Sequence, residues 1–113
     1  MMIQTSEGKV SISNQVITKI AEKALRDIEG IRVVTGGLND MLSQLSSSRQ
    51  SKGITIHRLD AVTNVELRII VDYGVKIHHV CRELQQRVKN LIENITGSSI
   101  GEIFVKVEGI ALD

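Results

Sequence analysis

Aromatic side chains are scarce in this sequence. Its 113 residues include no tryptophan, one tyrosine (Tyr73) and one phenylalanine (Phe104). Proteins that bind single-stranded nucleic acid generally stack the bases on aromatic side chains, so this scarcity argues against that class. The core must be aliphatic, and apolar residues of all types make up 42% of the chain.

Cysteine and net charge are limited as well. Cys81 is the only cysteine, so no intramolecular disulfide can form and a reducing compartment is expected. A formal net charge of +1 gives no electrostatic footprint for nucleic acid or for an anionic membrane. The first ten residues lack the basic start and apolar core of a signal peptide, and no stretch has the length of a bilayer span. We therefore expect a cytoplasmic protein that reaches a membrane only through a partner.

The apolar periodicity indicates a single α+β domain over residues 1–113. Strands are predicted at 8–13, 31–34, 53–59, 65–73 and 100–110. One helix is predicted between a capping Ser13 and Gly30, and a second from about Val75 to Ile95. The order is β-α-β-β-β-α-β. Because each helix and strand has one apolar face, we expect a two-layer sandwich with both helices packed on one face of a small sheet.

Residues 35–53 form a compositional break inside this domain. They are rich in glycine, serine and amides, which predicts a mobile connection. Their apolar residues recur at the spacing of a two-turn helix: Leu38, Met41, Leu42 and Leu45. This helix either folds back on the domain or is exposed as a docking helix for a partner. Docking of this helix on a membrane surface is disfavoured, because Arg49 and Lys52 are the only cations of residues 35–53.

Two apolar residues are predicted on the charged face of the sheet. Ile70 and Phe104 lie an even number of positions from the charged residues of their strands. They therefore share the charged face and point away from the core. If the two are adjacent, they mark a small patch for self-association or for a partner. The alternative is that they are scattered exposed apolar side chains, which are ordinary in globular proteins.

The stretch DYGVKIHHVC, residues 72–81, suggests a metal or nucleophile site because it contains two histidines and the cysteine. Helical geometry disperses them, since Cys81 falls in the apolar stripe, His78 at its edge and His79 on the opposite side. A zinc site needs three or four ligands, and a reactive thiolate needs exposure and positive surroundings. We therefore expect no catalytic, metal-binding or cofactor-binding residues.

Several short motifs, taken in order, resemble the alkaline shock protein family of Gram-positive bacteria. They are GKVSIS..VI..IA..A at 8–24, Gly30-Ile31, VDYG at 71–74, LQQRVK at 84–89, ITG at 95–97 and IGEIFVKVEGI at 100–110. Each motif is weakly specific, but the ordered set covers nearly the whole chain outside the predicted connection. Tyr73, Gly74, Gln85 and Gly97 match the family pattern, and we interpret them as architectural.

The resemblance implies a non-enzymatic scaffold or regulatory protein linked to envelope homeostasis or alkaline stress. Such a protein would act by self-association and by binding protein partners. Some members are held at the membrane by a small membrane-anchored relative, and others are associated with fatty-acid-synthesis enzymes. The family supplies no catalytic residues to carry over. A nucleic-acid-binding module and a metal-dependent enzyme are the alternative hypotheses from other classes.

Overall fold

The computed structural model describes residues 1–34 and 53–112. In chain order, the elements are β1 (Met2–Thr5), β2 (Gly8–Ser11), α1 (Asn14–Arg26), β3 (Ile31–Val33), β4 (Ile54–Leu59), β5 (Val62–Asp72), α2 (Ile77–Thr96) and β6 (Ile103–Ala111). The α+β class is confirmed, with the helices packed against a sheet. The predicted order lacked one strand, because β1 precedes the strand expected at 8–13.

The additional strand forms a separate two-stranded hairpin. β1 and β2 pair antiparallel, with Thr5 opposite Gly8. The backbone N–H of Ile12 donates to the carbonyl of Met1 at 2.7 Å, and the Met1 side chain is buried in the core. β1 was missed because its four residues, MIQT, place two apolar residues side by side, and so lack the alternation of a half-buried strand.

Helix α1 begins as predicted but ends early. The Ser13 hydroxyl accepts a hydrogen bond from the N–H of Val16 at 3.4 Å. The predicted apolar face is buried at Ile17, Ile20, Ala21, Ala24 and Leu25. The helix ends at Arg26 rather than at Gly30. Gly30, with φ of 90°, lies in the following turn, where its carbonyl accepts from the N–H of Asp72 at 2.8 Å. Through this hydrogen bond, Gly30 joins the end of α1 to the sheet.

Helix α2 lies between two glycines with positive φ. Gly74, with φ of 99°, turns the chain out of β5, as the sequence predicts for the DYG motif. Gly97 is the left-handed C-cap, and its N–H donates to the carbonyl of Glu93 at 2.8 Å. The buried residues are Leu84, Val88 and Ile92. The apolar stripe predicted for this helix is longer at both ends than the buried face, because Ile77 is 40% and Ile95 is 61% exposed.

β5 is the central strand of the main sheet. On one side it pairs antiparallel with β3 and β4 in turn, and on the other it pairs parallel with β6. The β4–β5 turn is Asp60-Ala61, tighter than the predicted DAVTN loop, and Asp60 has a positive φ of 57°. The parallel pairing requires a crossover, which α2 supplies.

The inner face of the sheet forms the core together with the two helices. The predicted inner residues of β5 are all at most 1% exposed: Val65, Leu67, Ile69 and Val71. The largest fully buried side chains are aliphatic, as composition predicts. Burial falls along β6, from Ile103 at 8% exposed to Val107 at 37%. The apolar alternation of β6 predicts Val107 on the core face with Ile103 and Val105, but the helices cover this part of β6 incompletely.

Two glycines with the same φ differ in how closely neighbouring atoms approach them. Gly53 and Gly97 share a φ of 76°. A Cβ on Gly53 would lie 2.8 Å from the carbonyl oxygen of Arg68, whereas a Cβ on Gly97 would meet no atom within 4 Å. Gly97→Ala should lower the free energy of unfolding by about 1 kcal/mol, the cost of left-handed backbone. Gly53→Ala should lower it by about 3 kcal/mol, because steric overlap is added. Urea unfolding followed by circular dichroism measures both, and equal losses would contradict the close approach.

Candidate partner-binding surfaces

The face of the sheet opposite the helices carries cross-strand ion pairs. Arg68 on β5 donates two hydrogen bonds to the carboxylate of Glu108 on β6, of which Nη2 to Oε2 is 3.1 Å. Lys106 Nζ lies 3.5 Å from the carboxylate of Glu66. These side chains remain partly exposed, between 21% and 51%. Positive and negative charges are thus matched between strands, which makes this outer face unlike the single-signed surface of a nucleic-acid binder.

Ile70 and Phe104 do not form the apolar patch that their adjacency would have produced. Phe104 lies opposite Glu66 of β5, four residues before Ile70, a separation of about 13 Å along the strand. Arg68 lies between them. This separation depends on the parallel register of β6, which the alternation of each strand by itself does not predict.

The two residues differ in their surroundings. Ile70 is half-buried and lies over Gly109, where an added Cβ would be 3.7 Å from its side chain. Phe104 is 53% exposed, and Lys106 Nζ is 5.8 Å from its ring centre. Phe104 is therefore the stronger candidate contact residue. The remaining predicted binding residues, Leu38, Met41, Leu42 and Leu45, lie outside the described residues together with the rest of 35–52, and stay predictions.

An open cleft of about 460 Å³ separates α2 from the start of β6. Its lining residues are Gln85, Gln86 and Lys89 on the helix and Gly101, Glu102, Ile103 and Phe104 on the strand side. The Gln85 amide donates to the carbonyl of Ile103 at 2.9 Å. Gln85 thus joins α2 to β6, an architectural role of the kind that the sequence predicts. The cleft was not predicted, because it exists only when β6 lies beside α2.

The histidines and cysteine of the DYGVKIHHVC stretch occupy different environments. Cys81 packs against the core, and burial raises the pKa of its thiol. His78 and His79 are exposed, and their ring centres are 4.6 Å apart. This distance is shorter than expected for two side chains on different sides of the helix. His57 lies on β4, 3.9 Å from Glu66. Within residues 1–34 and 53–112, no three histidine, cysteine, aspartate or glutamate side chains converge as metal ligands would.

These features define a small α+β domain, with one sheet face that no described helix or strand covers. Residues 2–112 match the sequence model of the alkaline shock protein 23 family, which is described as having a cell envelope-related function. The chain belongs to this family, as its motifs indicated. In the described part of the chain, neither helix combines the length and apolar character needed to cross a membrane.

The similarity extends over nearly the full length of several bacterial proteins. The uncharacterized protein YloU of Bacillus subtilis is 28% identical, over 96% of this chain and 92% of YloU. The uncharacterized protein YqhY of the same organism is 27% identical, over 96% of this chain and 82% of YqhY. The uncharacterized protein Spy1614 of Streptococcus pyogenes is 27% identical, over 96% of this chain and 92% of Spy1614. No solved structure matches the chain.

The ion pair on the outer face has a titration signature. Hydrogen bonds from Arg68 lower the pKa of Glu108. The pair therefore stabilises the fold above the pKa of the unfolded glutamate, and this contribution is lost as the pH falls through the lower folded value. Arg68→Gln should raise the pKa of Glu108 towards its ordinary value, as measured by carbon NMR of the carboxyl group.

Asp27 is the matched control for this titration. Its pKa is lowered by Lys23 and then by Arg87, on the helical side of the molecule. The Arg68→Gln substitution should leave the pKa of Asp27 unchanged. An unchanged Glu108 titration in the variant would show that Arg68 is not its partner.

The packing of Cys81 has a chemical consequence. Burial disfavours the thiolate, so iodoacetamide should alkylate Cys81 several-fold more slowly in the folded protein than in the urea-unfolded chain at the same mildly alkaline pH. Mass spectrometry of timed samples gives both rates, after correction for the effect of urea on a free cysteine. A folded rate equal to or above the unfolded rate would indicate an activated thiol.

Proposed function

We propose that this protein is a non-enzymatic scaffold or regulator of the cell envelope that acts by binding protein partners and copies of itself. The observation that carries the proposal is the one-sided packing of the helices. In the part of the chain that the structure describes, the outer face of the sheet has no covering element. A second layer of protein can therefore dock on a preformed surface at little cost in ordering.

Phe104 is the natural anchor of such an interface. Aromatic residues are enriched among the side chains that dominate binding energy, and this ring stands exposed between the outer face and the α2–β6 cleft. The surrounding ion pairs already satisfy one another, so they fit a polar rim. Binding would thus concentrate on the β6 side of the sheet, around Phe104.

The chemistry of the described residues supports binding rather than catalysis. The thiol of Cys81 has a raised pKa and packs against the core, which opposes nucleophilic activation. The cell envelope-related description of the family supports a location at the cytoplasmic side of the membrane, reached through a membrane-anchored partner. In the alternative form of the proposal, the bound partner is a fatty-acid-synthesis enzyme.

A matched pair of surface variants tests the proposal. Leu59, 70% exposed at the end of β4, is the control for Phe104, since both are exposed apolar residues but lie on strands on opposite sides of β5. Affinity-tagged wild-type protein, Phe104→Glu and Leu59→Glu are expressed in the native organism, crosslinked reversibly and purified. Circular dichroism first establishes that all three are folded. The expected result is that Phe104→Glu loses specific partners while Leu59→Glu retains them.

The identity of the recovered proteins separates the two forms of the proposal. A small membrane-anchored protein supports the envelope scaffold, and a carboxylase or another fatty-acid-synthesis enzyme supports the regulatory form. Additional copies of this chain, checked by light scattering, support self-association. A monomeric mass together with no reproducible partner for the wild type would overturn the proposal.

A further inference from the structure

We infer that the channel between α2 and the outer edge of β6 binds an extended acidic segment of a partner polypeptide as an added strand. By the α2–β6 channel we mean the cleft described above together with the next outward-facing positions of the β6 edge, Val105 and Val107, and Arg82, which lies one helical turn before Gln85 on α2. The inference rests on the proposed partner-binding function, and it specifies where the partner docks and what chemistry it carries.

Beyond Ile103, the outer edge of β6 presents backbone groups that no described strand pairs with. Within the described residues, β6 pairs only with β5, to which it turns the carbonyl of Glu102, the acceptor for the N–H of Val65 at 3.0 Å. The carbonyl of Ile103 points the other way, where Gln85 reaches it. Because the backbone groups of successive residues point to alternate edges of a strand, the N–H and C=O groups of Val105 and Val107 also point away from β5. Such groups are what an added peptide strand engages.

The helix supplies a basic wall beside this edge. Arg87 pairs with Asp27 of α1 at 3.3 Å and so marks the side of α2 that faces α1, whereas Gln85 marks the side that faces β6. Arg82 and Lys89 lie within about 60° of Gln85 around the helix. Both are exposed, and neither forms an ion pair with any described residue. Two exposed cations thus stand beside the strand edge without an ion-pair partner among the described residues. Glu102 is the one carboxylate in the lining of the cleft.

The channel sets the length and pattern of its occupant. The regular part of β6 runs from Ile103 to Val107, since a register shift follows opposite Ile69 and Ile70. These five residues span about 17 Å, and the seven steps of helical rise from Arg82 to Lys89 cover about 10 Å. Carboxylates at alternate positions of an added strand would face this wall, and the intervening apolar side chains would lie beside Phe104.

A second copy of this chain fits the edge less well. Antiparallel pairing of two β6 edges about a two-fold axis places both α2 helices on the same side of the joined sheet, so that the two basic walls face each other. Centred on Val105, the pairing also places Glu102 opposite Glu108 of the other copy. Like charges in opposed positions are destabilising. The charge pattern therefore favours an acidic partner.

The test uses nitrogen-15-labelled full-length protein and two capped heptapeptides. The probe is Thr-Glu-Val-Glu-Val-Glu-Thr, and the control is Thr-Lys-Val-Lys-Val-Lys-Thr, each titrated to millimolar concentration. The acidic peptide should produce saturable shifts centred on the amides of Val105 and Val107, weakened by salt, and the basic peptide should not. Equal responses to both peptides, or no response at these amides, would overturn the inference.

Charge-matched variants locate the contact. Arg82→Glu with Lys89→Glu should weaken binding of the acidic peptide about tenfold or more, because attraction becomes repulsion at two places. Arg26→Glu with Lys9→Glu makes the same net-charge change on α1 and β2, and it should retain binding. Loss of binding in both double variants would mean that only net charge matters. Concentration-dependent shifts at Val105 and Val107 without peptide would mean that a second copy occupies the edge. Either result contradicts the inference.

The failure of this inference can be told apart from failure of the proposed function. If the Arg82 and Lys89 double variant recovers its cellular partners as the wild type does while Phe104→Glu loses them, partners bind the outer face and the channel is not their site. If neither set of variants changes the recovered proteins, neither surface carries the partner.

Discussion

The pairing of β5 along both of its edges is the constraint on which the rest of the structure depends. Its backbone joins β3 and β4 on one side to β6 on the other, and its inner side chains are at most 1% exposed. Burying this aliphatic strip against α1 and α2 removes apolar surface from water, the dominant favourable term in folding. Because both described helices pack on this one face, no element within residues 1–34 and 53–112 covers the outer face of the sheet or pairs with the outer edge of β6.

The distribution of charge then distinguishes the two open surfaces. On the outer face, the register places Arg68 beside Glu108 and Lys106 beside Glu66, so that the charges are matched within the fold. Along α2, Arg82 and Lys89 have no such match among the described residues. If the proposed function holds, an incoming partner would meet a neutral rim on the outer face and exposed cations beside the edge of β6. The partner would then be selected by charge and by strand pairing.

Sequence patterns predicted the features that depend only on residues close together in the chain. The alternation of β5, the Ser13 cap, the apolar faces of the helices and the glycine turns at 74 and 97 all follow from neighbours in the chain. Features that depend on how distant segments meet were left open, missed or predicted wrongly. The separation of Ile70 from Phe104 follows from the parallel register of β6, which sequence alternation does not encode. The exposure of Val107, the α2–β6 cleft and the extra strand β1 have the same origin in tertiary arrangement.

Site-resolved amide hydrogen exchange on the full-length protein tests the central claim that β5 is fully paired while β6 is an open edge. The account predicts slow exchange throughout the interior of β5 and at Phe104 and Lys106, whose amides face β5. It predicts fast exchange at Val105 and Val107, whose amides face the channel. Protection of Val105 and Val107 as strong as that of β5 would contradict the account, because it would mean that another strand already covers this edge.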